Sequence, residues 1–126
     1  MLTRDISCDR WQSFFNDFTR LHQDEHVNVE TLGQDRHGVQ SRLCDLPLVG
    51  IVSARPKPGQ EEWIEVIARG ASGAPETHAI PKVSRVCLAE EHGEAVALQV
   101  ESADGSITMI RFEPPRENMP EGFTIS

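Results

Sequence analysis

Four of the seven aromatic residues in this chain, Trp11, Phe14, Phe15 and Phe18, fall within eight consecutive positions. At 3.6 residues per turn they share one face of a helix, and Leu21 extends the stripe, so the stretch needs an apolar partner surface. The spacing predicts a helix over about 7–22, with Ser7 as N-cap, Ile6 stapled against Trp11, and Asp9 where the helix dipole favours a carboxylate. An amphipathic membrane anchor would carry Lys and Arg along its polar face. This one offers Asp9, Gln12, Asn16 and Asp17 beside Arg10 and Arg20, and it reads as a core helix.

Beyond residue 26 the apolar period drops from 3.6 to 2. Val27–Leu32 and Val39–Leu43 read as a hairpin around a polar turn between Gly33 and Gly38. Pro47 interrupts, so Val49–Ala54 reads as a separate strand, followed by a turn at Pro56–Gly59. Trp63–Arg69 is expected to be apolar on both faces, which places it centrally or leaves a patch for a partner. After a loop at Gly70–Glu76, strands are expected at Thr77–Ile80, Val83–Leu88, Val96–Glu101 and Ile107–Phe112, the last two joined through Asp104-Gly105. Pro114, Pro115 and Pro120 make 113–126 an arm, which still carries Met119, Phe123 and Ile125. The expected fold is α+β and a single domain. One N-terminal helix packs on a curved antiparallel meander of about seven to eight strands over about 26–112, curled enough to approach a barrel.

Composition excludes several classes. A chain of 126 residues with net charge -8 has no basic stripe for a phosphate backbone, and of its twelve basic residues only Lys57 and Lys82 are lysines. No nucleic-acid partner is expected. Cys8, Cys44 and Cys87 form no C-x-x-C pair and read as reduced thiols. With no apolar segment long enough to act as a signal or span, a cytoplasmic address without membrane association is expected.

The candidates for chemistry are few, and no catalytic residue, metal or cofactor is expected from them. His22 and His26 would share a face if the helix ran through residue 26, but a metal needs a third ligand, and solvated histidines at a helix C-terminus explain them as well. Gly70-Ala71-Ser72-Gly73 lacks both the Lys-Ser/Thr of a phosphate loop and a following helix. His78 lies in a short strand after the loop, where groups from neighbouring strands could meet it.

Leu2-Thr3-Arg4-Asp5-Ile6 with Trp11, Phe14-Phe15, Phe18 and His22, the Leu46-Pro47-Leu48 step, and Glu101-Ser102-Ala103-Asp104-Gly105 with Arg111-Phe112 resemble a family of small uncharacterised bacterial proteins known only as a domain of unknown function. The resemblance implies a stand-alone bacterial protein and carries over no catalytic residue. Two functional classes remain. One is a non-catalytic interaction module in which Trp63 and Ile67, or Phe123 of the arm, close a homodimer or accept a protein partner. The other is a small-molecule-binding protein or enzyme with a pocket between helix and sheet, lined by His78, Arg85, Glu101 and Arg111.

Overall fold

A computed structural model describes residues 2–33, 38–54 and 62–113. The turns expected between Gly33 and Gly38 and at Pro56–Gly59, and the arm residues Met119, Phe123 and Ile125, fall outside the described residues wholly or in their central part. In chain order the elements are β1 (Leu2–Ile6), a 3-10 turn (Cys8–Arg10), α1 (Trp11–His22), β2 (His26–Leu32), β3 (Val39–Ala54), β4 (Trp63–Arg69), β5 (Pro75–Ile80), β6 (Val83–Glu91), β7 (Glu94–Ser102) and β8 (Ile107–Glu113).

The helix is shorter than its pattern suggested. Residues 8–10 tighten into a 3-10 turn, closed by the Arg10 N–H on the Ser7 carbonyl at 2.8 Å, and the Ser7 hydroxyl makes no capping bond. The entry is instead fixed by Trp11, whose indole N–H donates to the Ile6 carbonyl at 2.9 Å. Trp11, Phe15 and Phe18 are buried as expected, but Leu21 is 76% exposed. His22 takes the last place on the stripe, stacked on Phe18 at 4.1 Å and 5.5 Å from Phe112. A spacing of 11, 15, 18 and 22 follows the 3.6 period more closely than one ending at 21.

All eight strands belong to one antiparallel sheet, ordered β1-β6-β7-β8-β2-β3-β4-β5. Two features differ from the sequence reading. The sequence reading holds no strand before the helix, since no apolar alternation marks Leu2–Ile6; in the structure four of these five residues are exposed and β1 pairs along β6 from Leu2↔Glu90 to Ile6↔Val86. The strands expected on either side of Pro47 are one 16-residue strand. Between the pairs Val27↔Leu46 and Val29↔Leu43, Cys44 and Asp45 oppose Asn28 alone, which is a β-bulge. Asp45 takes the left-handed conformation there (φ 53°), and β2 clips it in place. The Asn28 amide oxygen accepts from the Asp45 N–H at 3.0 Å, and His26 Nδ1 lies 2.8 Å from the Asp45 carboxylate. The strand bends at this point without ending.

That bend lets β3 pair with β2 over its first half and β4 over its second. Past Pro47 its β2-side edge has no strand neighbour, and α1 fills the place. Leu48 exchanges backbone bonds with Asp24 and Glu25 just after the helix (2.9 and 2.8 Å), and the Thr19 hydroxyl accepts from the Ile51 N–H at 3.0 Å and lies 3.3 Å from the Ile51 carbonyl. Thr19 lies over Gly50, where an added Cβ would stand 3.4 Å from Thr19 Cγ2, an ordinary contact. Thr19 thus stands in for one rung of a missing strand.

The sheet curls around the aromatic face of the helix. Only Pro81 and Lys82 connect β5, at one edge, to β6, which lies next to the other edge. Strands β1 and β5 do not pair, so the sheet stays open and is not closed into a barrel. Its interior is apolar and filled: Phe15, Leu48, Ile51, Ile64, Leu98 and Ile110 are almost wholly inaccessible. The architecture is α+β, with the helix plugging the end of the curl where β2 starts and β8 finishes.

Candidate functional site

The four polar residues expected to line one pocket are distributed over two faces of the sheet. Arg85 and Glu101 are paired positions of β6 and β7 on the outer face, 3.2 Å apart, and Arg85 also holds Asp5 of β1 at 2.9 Å. Arg111 is on the outer face of β8, 3.2 Å from Glu30. Only His78 faces inward, opposite the buried Val66. Nor does a pocket open between helix and sheet at those residues, because the aromatic face of α1 and the inner side chains of the strands occupy that space.

The concave site containing His78 lies at the other end of the curl, where β2 finishes and β8 starts. It is a cleft of about 360 Å³. Its polar lining is Arg42, His78, Thr31, Thr108, Ser102, Asp104 and Ser106, and Ala79, Ile80 and Pro81 form an apolar wall. Arg42 reaches it through a second irregularity of β3. Val29 pairs with Leu43 and Glu30 with Ser41, which leaves Arg42 as an extra residue on the bulged strand. Thr31 and Thr108 are cross-strand partners on the inner face with hydroxyls 3.4 Å apart. Asp104 is occupied by its own turn, accepting from the Ser106 N–H at 2.9 Å and the Ser106 hydroxyl at 2.7 Å.

Against this geometry the comparisons with known proteins are brief. A model for a family of unknown function, DUF5335, matches residues 2–121. The chain belongs to that family. No curated protein and no solved structure matches it. Membership of DUF5335 therefore brings no activity, and the side chains of this chain carry the functional reading.

Two groups of the DUF5335 domain give its stability a pH dependence of known sign. Burial, and secondarily the charge of Arg42, push the His78 imidazole below its ordinary 6.5. Burial, and secondarily the hydrogen bond to Asp5 at 2.9 Å, push the Cys87 thiol up to about 11 from its ordinary 9.0. A depressed His contributes stability that is present above pH 6.5 and lost as pH falls through its folded value. A raised Cys contributes stability that is present below pH 9.0 and lost as pH rises through about 11. The urea midpoint is expected to be highest between these limits, with His78→Gln flattening the acid limb and Cys87→Ala the alkaline one. Unchanged slopes in both variants would refute the assignment. Asp5 and Asp104 act further down: Cys87 and then Arg85 lower the first, Ser106 lowers the second, and both contributions vanish as pH falls below 3.8.

The tempting histidine pair resolves into two separate contacts. His22 Nδ1 lies 2.9 Å from Glu25 and His26 Nδ1 2.8 Å from Asp45. Among the described residues no three His, Cys, Asp or Glu side chains gather as metal ligands. Among the described residues no helix is long and apolar enough to cross a membrane. Of the cleft residues, sequence reasoning picked out His78 alone. Arg42 carries no signal in the sequence, because alternation along Val39–Leu43 says nothing of a bulge that turns one side chain inward.

The expected interface pair is brought together. Trp63 and Ile67 lie on the outer face of β4, half-buried, with Ile64, Val66 and Ala68 fully buried on the inner face. Ala54 stands beside Trp63, Gly50 beside Ile67, and Val52, 40% exposed, between them across from Glu65.

Proposed function

We propose that this protein is a non-catalytic interaction module, a cytoplasmic bacterial protein that associates with a second copy of itself through the outer face of β3 and β4. The observation that supports this reading is the apolar surface of Trp63, Ile67 and Val52 on the side of the sheet opposite the filled interior. Aromatic residues at the centre of such a patch are the usual anchors of an interface. A two-fold contact would set the patch of one protomer on the same patch of its partner, with Glu65 between Trp63 and Ile67 and Arg69 at the end of β4 supplying opposite charges. Arg85, Glu101 and Arg111 lie on the outer face of the sheet and His78 on the inner.

Light scattering on the full chain at micromolar concentration tests the proposal. The mass of a dimer is expected for the parent protein and that of a monomer for Ile67→Glu. The emission of Trp63, isolated in a Trp11→Phe background, should shift to the blue as concentration rises. A parent protein monomeric throughout, or a dimer untouched by Ile67→Glu, would overturn the proposal.

A further inference from the structure

The open-end cleft holds one guanidinium, Arg42, and one carboxylate, Asp104, and the two are differently engaged. The guanidinium of Arg42 lines it and has no carboxylate at ion-pair distance among the described residues. The one acid of the cleft, Asp104, has its carboxylate engaged by Ser106. Arg42 and His78 come from strands at different positions in the sheet, β3 and β5, and only its curl brings them to one concavity. Ser102 is 6% exposed, and its hydroxyl has no hydrogen-bond partner among the described residues. Since no polar side-chain atom is both inaccessible and unpaired there, that hydroxyl reaches the cleft.

We propose that this cleft binds a small organic oxyanion, its carboxylate or phosphate on Arg42, its stem against Ile80 and Pro81, and its hydroxyl groups on Ser102, Thr31 and Thr108. The planar fork of Arg42 matches two oxygens of such a group. The hydroxyls serve as donors or acceptors as the ligand requires. A volume of about 360 Å³ admits a molecule of a few carbons with its charged group. His78, kept neutral by burial and by Arg42, supplies a ring nitrogen and adds no charge.

The test is a titration of the ¹⁵N-labelled full chain with sodium lactate, sodium acetate and inorganic phosphate, each against sodium chloride of equal ionic strength. Saturable shifts are expected at the amides of Thr31, Gly33 and Ser106 and at the His78 ring, with a dissociation constant on the order of 1 mM. Arg42→Gln should weaken binding by about tenfold or more, while Arg85→Gln, the same charge change on the outer face, should leave it unaltered. Both positions are exposed, and retained dispersion of the spectra shows that the variants fold. Saturation by phosphate alone makes the ligand a phosphate ester; saturation by lactate and acetate makes it a carboxylate. Shifts no larger than those with chloride, or equal losses in the two variants, would overturn the site.

Discussion

Phe15→Ala is expected to destabilise the protein by about 3–5 kcal/mol, the range for truncating a buried aromatic ring. Such a loss is a large part of the roughly 5–15 kcal/mol that holds a domain together. Phe15 is 0% exposed and sits at the middle of the helix stripe, with Phe14 edge-on to it at 5.3 Å. Its surroundings have little freedom to collapse into the space left behind, because they belong to strands whose spacing is fixed by backbone pairing with further strands. β3 is the strand the helix touches most, and Phe15 is one of three buried aromatic side chains, with Trp11 and Phe18, that attach it to the sheet. Urea unfolding measured by far-UV circular dichroism checks this, with Leu21→Ala as the comparison. That residue belongs to the same helix, is 76% exposed and should change stability by less than about 0.5 kcal/mol. A cost below about 1 kcal/mol for Phe15→Ala would mean that the helix does not plug the curl as described.

Thr19→Val is the second. Valine has the shape of threonine, so apolar contacts, including the one over Gly50, are retained and only the hydroxyl is lost. That hydroxyl serves the N–H and the C=O of Ile51, which no strand pairs on that side. Leaving a half-buried backbone donor and acceptor without partners costs about 1–3 kcal/mol. Thr19→Ser keeps the hydroxyl and should recover most of the loss, which separates the hydrogen bonds from the packing. In the valine variant the amide of Ile51 should also exchange with deuterium faster than that of Val66 on the neighbouring strand. Equal stability of the valine and serine variants would show that water satisfies Ile51 as well as Thr19 does.

The helix and most strands were legible because each rests on a local rule. The 3.6-residue spacing of Trp11, Phe15 and Phe18 needs one buried face, and alternation such as Val96, Leu98 and Val100 needs another. The features that escaped depend on partners far away in the chain. Strand β1 exists because β6 offers an edge 80 or more residues later, at Leu88 for Arg4 and Val86 for Ile6. Pro47 reads as a break when only its missing N–H is considered, yet β3 passes through it because the Asp45 bulge is fastened by Asn28 and His26 of β2. Leu21 and His22 are adjacent; hydropathy points to Leu21, whereas the 3.6-residue period and the ring of Phe112 on β8 favour His22.

The candidate sites divide in the same way. The sequence by itself determined an aromatic core helix, an antiparallel sheet, an outward-facing pair in Trp63 and Ile67, and a polar outer surface, since all of these follow from periodicity and charge along the chain. Which polar groups share a space was decided by the tertiary structure alone. Arg85, Glu101 and Arg111 were held on the outer face by strand register, while Arg42 was turned inward by one extra residue in β3. The two-residue Pro81–Lys82 link, possible only in a curled sheet, brought His78 to the same cleft as Ser102 and Thr108. Periodicity fixes the face on which a residue lies, but the meeting of residues from distant strands depends on register, bulges and curl, which arise from contacts between segments remote in sequence.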